Sequence, residues 1–137
     1  MKIIFINQVS STARIPRAVL LRLFTRTQKL FNKKIKNKTV CLVFESELAI
    51  KKLNAKYRGK NKPTNVLSFE SMQTDELGDI IICPKVARKQ SKEMRVGFSW
   101  WVSYLFVHGL LHLIGYDHKT KSEENEMDLL TKKILCE

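Results

Sequence analysis

Residues 100–116 form a strongly apolar stretch that contains no Asp, Glu, Lys or Arg. The stretch is shorter than the roughly 20 residues that a membrane-spanning helix needs, and Ser103, His108 and His112 interrupt it. A helix that is apolar on all sides is normally buried in the core of a protein. We therefore predict a buried central helix over residues 100–114, opened by Ser99, and no membrane span.

All three histidines of the chain lie in or just after this helix. His108 and His112 are four residues apart, so both point to one side of a helix. Gly115 can adopt a positive φ and end the helix, which would let His118 close a third side of a site. Three imidazoles with one open position are the ligand set of a catalytic zinc. A lone histidine on an apolar helix is more often an ordinary core residue, but three at this spacing favour a metal.

We therefore predict one zinc ion per chain, held by His108, His112 and His118, with water in the fourth position. Nickel or another divalent metal also suits histidine nitrogen. Asp117 is expected either to orient a ligand from behind or to cap the helix or turn.

The spacing His-x-x-x-His-x-x-Gly-x-x-His is also that of the metzincin proteases. Those enzymes place a Glu directly after the first histidine, where it acts as the general base. This chain has Gly109 at that position, and glycine has no side chain to accept a proton. The pattern keeps the metal ligands and lacks the protease base.

The chain is strongly basic, with 25 Lys and Arg against 13 Asp and Glu and a net charge of +12. Such a small basic domain usually meets nucleic acid or an anionic membrane surface, although a lysine-rich proteome would also produce this charge. A phosphodiester is the anionic substrate that fits both the charge and the predicted zinc. Arg58, in the basic loop over residues 58–65, is the best candidate for a second cation, because a guanidinium matches two phosphate oxygens. The sequence does not establish that this loop faces the histidines.

The hydrophobic pattern predicts one domain over residues 1–137, of α/β or α+β layered class. Strands are predicted at residues 2–7, 39–44, 66–69 and 77–83. Helices are predicted from the polar segment 9–12 to Phe31, with Pro16 in the first turn, and at residues 46–57, 85–95, 100–114 and 123–135. A charged turn is expected at residues 34–38. The order of the strands cannot be read from this pattern.

The first helix is amphipathic, and its basic side is predicted to be either a solvated face or a contact for an RNA backbone. Its apolar side is expected to include Leu30, and the basic side comprises Arg22, Arg26, Lys29 and Lys33.

The three cysteines, Cys41, Cys83 and Cys136, are odd in number and widely spaced. This usage indicates a reducing cytoplasm and no disulfide framework. The apolar start of the chain is too short for a signal peptide.

Two motifs and the strand between them resemble the YbeY family. The stretch LNAKYRGKNKPTNVLSF at residues 53–69 resembles its signature loop and strand, and HGLLHLIGYDH at residues 108–118 resembles its metal motif. The sequence LGDI at residues 77–80 matches the intervening strand. The chain departs from the family at Glu70, where proline is expected, and at Asn61, where aspartate is common.

The resemblance implies a bacterial, metal-dependent endoribonuclease that cuts single-stranded RNA. It implies a role in rRNA maturation, notably at the 3′ end of the small-subunit RNA, and in ribosome quality control. The implied fold is α/β, with a central mixed sheet of about four strands flanked by about five helices. The implied partners are rRNA, the ribosomal small subunit and its associated proteins, with no DNA.

Carried over by position, the resemblance implies that the three histidines bind zinc and that Arg58 is the functional arginine. Lys60, Lys62 and Ser68 of the same signature are expected to bind the substrate. Three alternatives share parts of the pattern. They are an rRNA-binding or ribosome-binding module with little or no catalysis, a zinc hydrolase of another class, and a purely structural zinc.

Overall fold

Four strands form one sheet in this computed structural model, which describes residues 2–9 and 14–136. The strands are β1 (Lys2–Asn7), β2 (Thr39–Phe44), β3 (Val66–Glu70) and β4 (Glu76–Ile82), in the order β1-β2-β4-β3. The first three neighbours β1, β2 and β4 run parallel, and β3 runs antiparallel to β4. The predicted α/β class with a mixed four-stranded sheet is confirmed.

The described residues contain six helices, one more than the five predicted. The helices are α1 (Arg17–Leu30), α2 (Asn32–Ile35), α3 (Glu47–Arg58), α4 (Pro84–Met94), α5 (Phe98–Ile114) and α6 (Lys121–Cys136). The additional helix is α2, a single turn that begins at Asn32 and overlaps the first two residues of the segment 34–38, where a charged turn was expected. It follows α1 after only Phe31, which takes a non-helical conformation with φ −122°.

Helix α3 begins and ends as its sequence predicts. The Ser46 hydroxyl accepts a hydrogen bond from the Ala49 N–H at 3.2 Å, which satisfies one of the free donors of the first turn. Gly59 ends the helix in the left-handed region at φ 71°. Arg58 is thus the last residue of α3, whereas it was predicted to open the basic loop, and the loop starts directly after it.

The predicted starts of two other helices are wrong. Helix α1 begins at Arg17, and Pro16 precedes it as the N-cap residue rather than lying in the first turn. The predicted start within residues 10–12 lies outside the described residues. Helix α5 begins at Phe98 after Gly97, so Ser99 is already inside the helix and does not cap it.

The sheet separates two apolar clusters because successive side chains of a strand point to opposite faces. Ile80 and Ile82 of β4 belong to the larger cluster with α5, whereas Ile81 belongs to the smaller one with Ile50 of α3. The two faces of β4 thus hold α5 and α3 on opposite sides of the sheet.

Helix α5 is the central helix that the sequence predicts. It packs against α1, α4, α6, β3 and β4, and Phe106, Leu110 and Leu111 are fully buried. In the part of the chain that the structure describes, no single helix has the length and apolar character to cross a membrane. Only the pair α4 and α5 together has this length and apolar composition, and the chain bends by 116° between the two helices.

Two predictions about α1 are wrong. Leu30 lies on the exposed side and is 47% accessible to solvent, because the helix ends there and the chain turns into α2. Arg26 does not belong to a free basic face, since its Nη1 donates a hydrogen bond to the Ile134 carbonyl of α6 at 3.1 Å. Arg26 therefore ties α1 to the end of α6.

The cysteines are free thiols. Cys83 is fully buried, Cys41 is partly buried and Cys136 is exposed. Burial raises the pKa of both the Cys83 and the Cys41 thiol, which keeps these two groups protonated.

Candidate metal and nucleic-acid site

The three imidazoles come together at the end of α5. The ring centroids of His108 and His118 are 5.9 Å apart, and those of His112 and His118 are 5.6 Å apart. His108 and His112 are partly buried on the helix, whereas His118 is exposed on the segment that follows it. The convergence predicted from the spacing is present.

Gly115 makes this return of the chain possible. It ends α5 at φ 123°, a conformation that side chains rarely allow, and its N–H donates to the Leu111 and His112 carbonyls. Asp117 Oδ1 then accepts a hydrogen bond from the His118 N–H at 2.8 Å. This hydrogen bond corresponds to the turn cap, one of the two roles expected for Asp117, and it fixes the backbone of His118.

Two observations favour a metal between these rings. The Nδ1 atoms of His108 and His112 are buried and have no hydrogen-bond partner. An unpaired buried nitrogen costs free energy, and a metal bound to that nitrogen would remove this cost. Two imidazoles that share one zinc at the usual bond length have centroids roughly 5 Å apart, close to the observed separations. Nevertheless, within residues 2–9 and 14–136 no group of three His, Cys, Asp or Glu side chains is arranged to hold a metal as it stands. The rings would therefore have to close slightly around an ion.

The protonation of His108 also suits a metal ligand. Burial lowers the pKa of His108, and the neighbouring imidazoles of His118 and His112 lower it further. The neutral ring is favoured, and only a neutral imidazole offers a nitrogen lone pair to a metal.

Gly109 packs closely against the sheet. A Cβ built on Gly109 would stand 3.0 Å from Ser68 Oγ of β3 and 3.1 Å from Ile80 Cγ2 of β4. A glutamate of the zincin type at this position would therefore crowd the side chains of Ser68 and Ile80. Close packing against the sheet explains the glycine that the motif analysis found in place of a base.

The basic loop does face the histidines. A cavity of about 940 Å³ is lined by the three histidines, by Arg58 and by the predicted substrate-binding residues Lys60, Lys62 and Ser68. Arg58 is held at its wall, since Nη2 donates to the Ser68 carbonyl at 2.9 Å and the guanidinium lies 5.6 Å from the centre of the Phe69 ring. Of the two departures from the family pattern, Glu70 lines this cavity. Asn61 is exposed to solvent and does not line it.

Asn54 is a site residue that the sequence did not reveal. It is only 3% exposed, and its Nδ2 donates to the Lys62 carbonyl at 2.9 Å, so it fastens the basic loop to α3. A buried asparagine on the inner face of a predicted helix was the available signal, because such a side chain needs a partner.

Trp101 and Tyr104 also line the cavity and were assigned only to a core helix. The Tyr104 ring stacks on His108 with centroids 5.7 Å apart, and its hydroxyl donates to Asp128 Oδ1 of α6 at 2.5 Å. Burial and this hydrogen bond raise the pKa of Tyr104, while the same hydrogen bond lowers the pKa of Asp128. Tyr104 therefore links the wall of the site to α6.

Comparison with known proteins gives one consistent result. The model of the family "Endoribonuclease YbeY" matches residues 5–137. Among curated proteins, endoribonuclease YbeY of Bdellovibrio bacteriovorus is 38% identical over 99 residues, which cover 72% of this chain and 66% of that protein. The protein of the same name from Rhizobium etli is 40% identical over 105 residues, covering 72% and 61%.

Two further matches extend over more of the chain. Endoribonuclease YbeY of Buchnera aphidicola is 35% identical over 131 residues, covering 91% of this chain and 81% of that protein. A Thermotoga maritima protein solved in solution has a similar fold, with a TM-score of 0.67, 30% identity and coverage of 97% and 86%. The match to the first two relatives spans less than two thirds of their length.

Proposed function

This chain belongs to the endoribonuclease YbeY family, and we propose that it is a zinc-dependent endoribonuclease that cuts single-stranded RNA. Its proposed role is the maturation of rRNA, at the 3′ end of the small-subunit RNA, together with ribosome quality control in the cytoplasm. The carrying observation is that Arg58 and the three histidines line one cavity, beside the basic residues Lys60 and Lys62.

His108, His112 and His118 would hold the metal. A zinc ion bound there supplies a Lewis acid and water of lowered pKa. Arg58 keeps most of its five N–H donors after the single hydrogen bond to Ser68. These donors suit the non-bridging oxygens of a phosphodiester, where negative charge grows during cleavage. The attacking group is either water or the RNA 2′-hydroxyl, and a 2′,3′-cyclic phosphate product would identify the latter.

The structure gives a reason to prefer RNA over peptide substrates. The proton acceptor of a zincin protease is missing at Gly109, and a side chain there would press on Ser68 and Ile80. The surrounding wall is basic, and a net charge of +12 favours a polyanion.

The test combines metal content with RNA cleavage. Elemental analysis of the purified protein should find about one zinc per chain, and His112→Ala should lose both the metal and the cleavage of a single-stranded rRNA fragment. Arg58→Ala should retain the metal and cleave about 10²–10³-fold more slowly. Arg22→Ala is the matched control, because it removes the same charge from an exposed position of α1 away from the cavity, and it should cleave at the wild-type rate.

Each alternative has its own outcome. A binding module would retain rRNA without cutting it, with or without metal. A structural zinc would lower the melting temperature on chelation while Arg58→Ala cleaves normally. Cleavage of peptides in preference to RNA would indicate a zinc hydrolase of another class. Any of these results would contradict the proposed function.

A further inference from the structure

Three aromatic rings continue the histidine cluster along α5, those of Trp100, Trp101 and Tyr104. Trp101 and Tyr104 have centroids 5.0 Å apart and planes inclined by only 15°, and Tyr104 and His108 are 5.7 Å apart at 16°. Trp100 packs beside both of these rings, 6.3 Å from Trp101 at 23° and 5.7 Å from Tyr104 at 33°. The planes of Trp101, Tyr104 and His108 are thus nearly parallel, at centroid separations within the range of offset-stacked aromatic pairs.

This aromatic ladder (Trp100, Trp101, Tyr104) is not an ordinary part of the core. Trp101 and Tyr104 are only partly buried and line the same cavity as the three histidines, and Trp100 is 40% exposed. The partial exposure of these three rings leaves aromatic surface uncovered beside His108.

The ladder is held in place by polar contacts that also reach the basic loop. Gln90 Oε1 of α4 accepts hydrogen bonds from Trp101 Nε1 at 3.0 Å and from Asn65 Nδ2 at 3.1 Å. Tyr104 is fixed at its other end by Asp128. These contacts keep the rings in a defined orientation before any ligand binds, which lowers the entropic cost of binding.

We propose that the aromatic ladder is a stacking platform for unpaired bases of the RNA strand whose phosphate lies at Arg58 and the histidines. Aromatic side chains beside a basic groove are the usual means of binding single strands, because every base offers a π-face. Arg58, Lys60 and Lys62 line the same cavity and provide the charge that follows the backbone. Residues 101 and 108 are roughly 10 Å apart along the helix axis, which is about three nucleotides at stacked-base spacing.

This platform deepens the proposed function and accounts for a preference for single strands. Bases in a duplex are already paired and stacked on one another, so their faces are not free to meet the rings.

The test measures binding rather than cleavage. Trp100 and Trp101 are the only two tryptophans of the chain, so intrinsic fluorescence reports directly on the platform. Rapid mixing of the metal-loaded protein with single-stranded RNA should quench this emission before cleavage occurs. An oligomer of the same length built from abasic ribose phosphates should bind at least about tenfold more weakly and leave the emission unquenched.

Variants locate the effect on the ladder. Trp101→Leu and Tyr104→Leu should each reduce the preference for RNA over the abasic oligomer about tenfold, whereas Trp101→Phe should retain most of it. Phe98→Leu is the matched control, because it removes a ring from the same helix outside the cavity, and it should leave the preference unchanged.

Equal binding and equal quenching by RNA and the abasic oligomer would overturn the platform. So would full preference in Trp101→Leu and Tyr104→Leu variants that melt like the wild type. If the leucine variants do not fold, the quenching of Trp100→Phe and Trp101→Phe decides the question. The binding preference and the fluorescence quenching do not depend on turnover. RNA cleavage without a preference for bases would therefore reject the platform alone. Base-dependent binding without cleavage would reject the proposed enzyme alone.

Discussion

At Gly109 the helix that carries the histidines lies so close to Ser68 and Ile80 that an added Cβ would stand 3.0–3.1 Å from their side chains. Alanine in place of glycine inside a helix normally stabilises it by about 0.5–1 kcal/mol. Here the added methyl group would press on both strands, so Gly109→Ala should lower the free energy of unfolding by about 1–3 kcal/mol. Urea unfolding of the wild type and the variant measures this difference.

Gly97→Ala provides the control for that prediction. A Cβ at Gly97 would meet no atom within 4 Å, and the residue precedes the same helix, so the free energy of unfolding should change by less than about 1 kcal/mol. A Gly109→Ala protein as stable as the wild type would show that α5 can move away from the sheet.

On the scale of elements, the hydrogen bond from Tyr104 to Asp128 joins α5 to α6. Tyr104→Phe removes it and should lower the free energy of unfolding at pH 7 by about 1 kcal/mol, because the acceptor is charged but partly exposed. The bond lowers the pKa of Asp128 in the folded protein. A carboxyl group with a lowered folded pKa contributes stability above its ordinary pKa of about 3.9, and this stability is lost as the pH falls through the folded value.

The difference between wild type and Tyr104→Phe should therefore shrink between pH 7 and pH 3 in urea unfolding. Lys132→Ala is a suitable control, since it removes the exposed ion pair of Asp128 at 3.1 Å and should change stability by less than about 1 kcal/mol. A Tyr104→Phe penalty that is constant over this pH range would show that packing of the ring, and not the charged hydrogen bond, joins the helices.

The elements also show which parts of the structure were predictable. Helix α3 could be predicted because Ser46 and Gly59 mark its ends by local hydrogen bonding and backbone conformation. The convergence of the histidines was predictable for the same reason, since helical spacing and Gly115 act within a few residues. The strand order was not, because β2 pairs with β4 through contacts distant in sequence.

Within the site, the residues that were hardest to predict are those whose sequence pattern fits two different positions in a fold. Trp101 and Tyr104 follow a helical apolar pattern that is the same for a core face and for a cavity wall. Only the packing of α4 and the basic loop around α5 shows that they line the cavity. The partner of Arg26 was hidden likewise, because the Ile134 carbonyl is 108 residues away in the sequence.

Across the whole molecule, positive charge is concentrated in the part of the chain before the histidine motif. Residues 1–107 contain 21 basic and 7 acidic residues, whereas residues 119–137 contain 4 and 5. Composition alone predicts a polyanionic partner, but it does not distinguish the two basic regions that the fold separates. One is the cavity with Lys60 and Lys62, and the other is the surface of α1 and α2.

Salt dependence can decide which basic region contacts RNA. Each phosphate contact with a single strand contributes roughly 0.7 to the slope of log affinity against log salt concentration. If Lys60 and Lys62 each contact a phosphate, the double variant Lys60→Gln/Lys62→Gln should reduce the magnitude of this slope by roughly 1.4. Fluorescence anisotropy of a labelled single-stranded RNA over a series of salt concentrations provides the slope.

The double variant Lys33→Gln/Lys34→Gln removes the same charge from exposed positions of α2, outside the cavity lining. Its slope should equal that of the wild type, because charges that touch no phosphate release no counterions from the RNA. A reduced slope for this variant, together with an unchanged slope for Lys60→Gln/Lys62→Gln, would place the RNA backbone on the α1–α2 surface and not along the cavity.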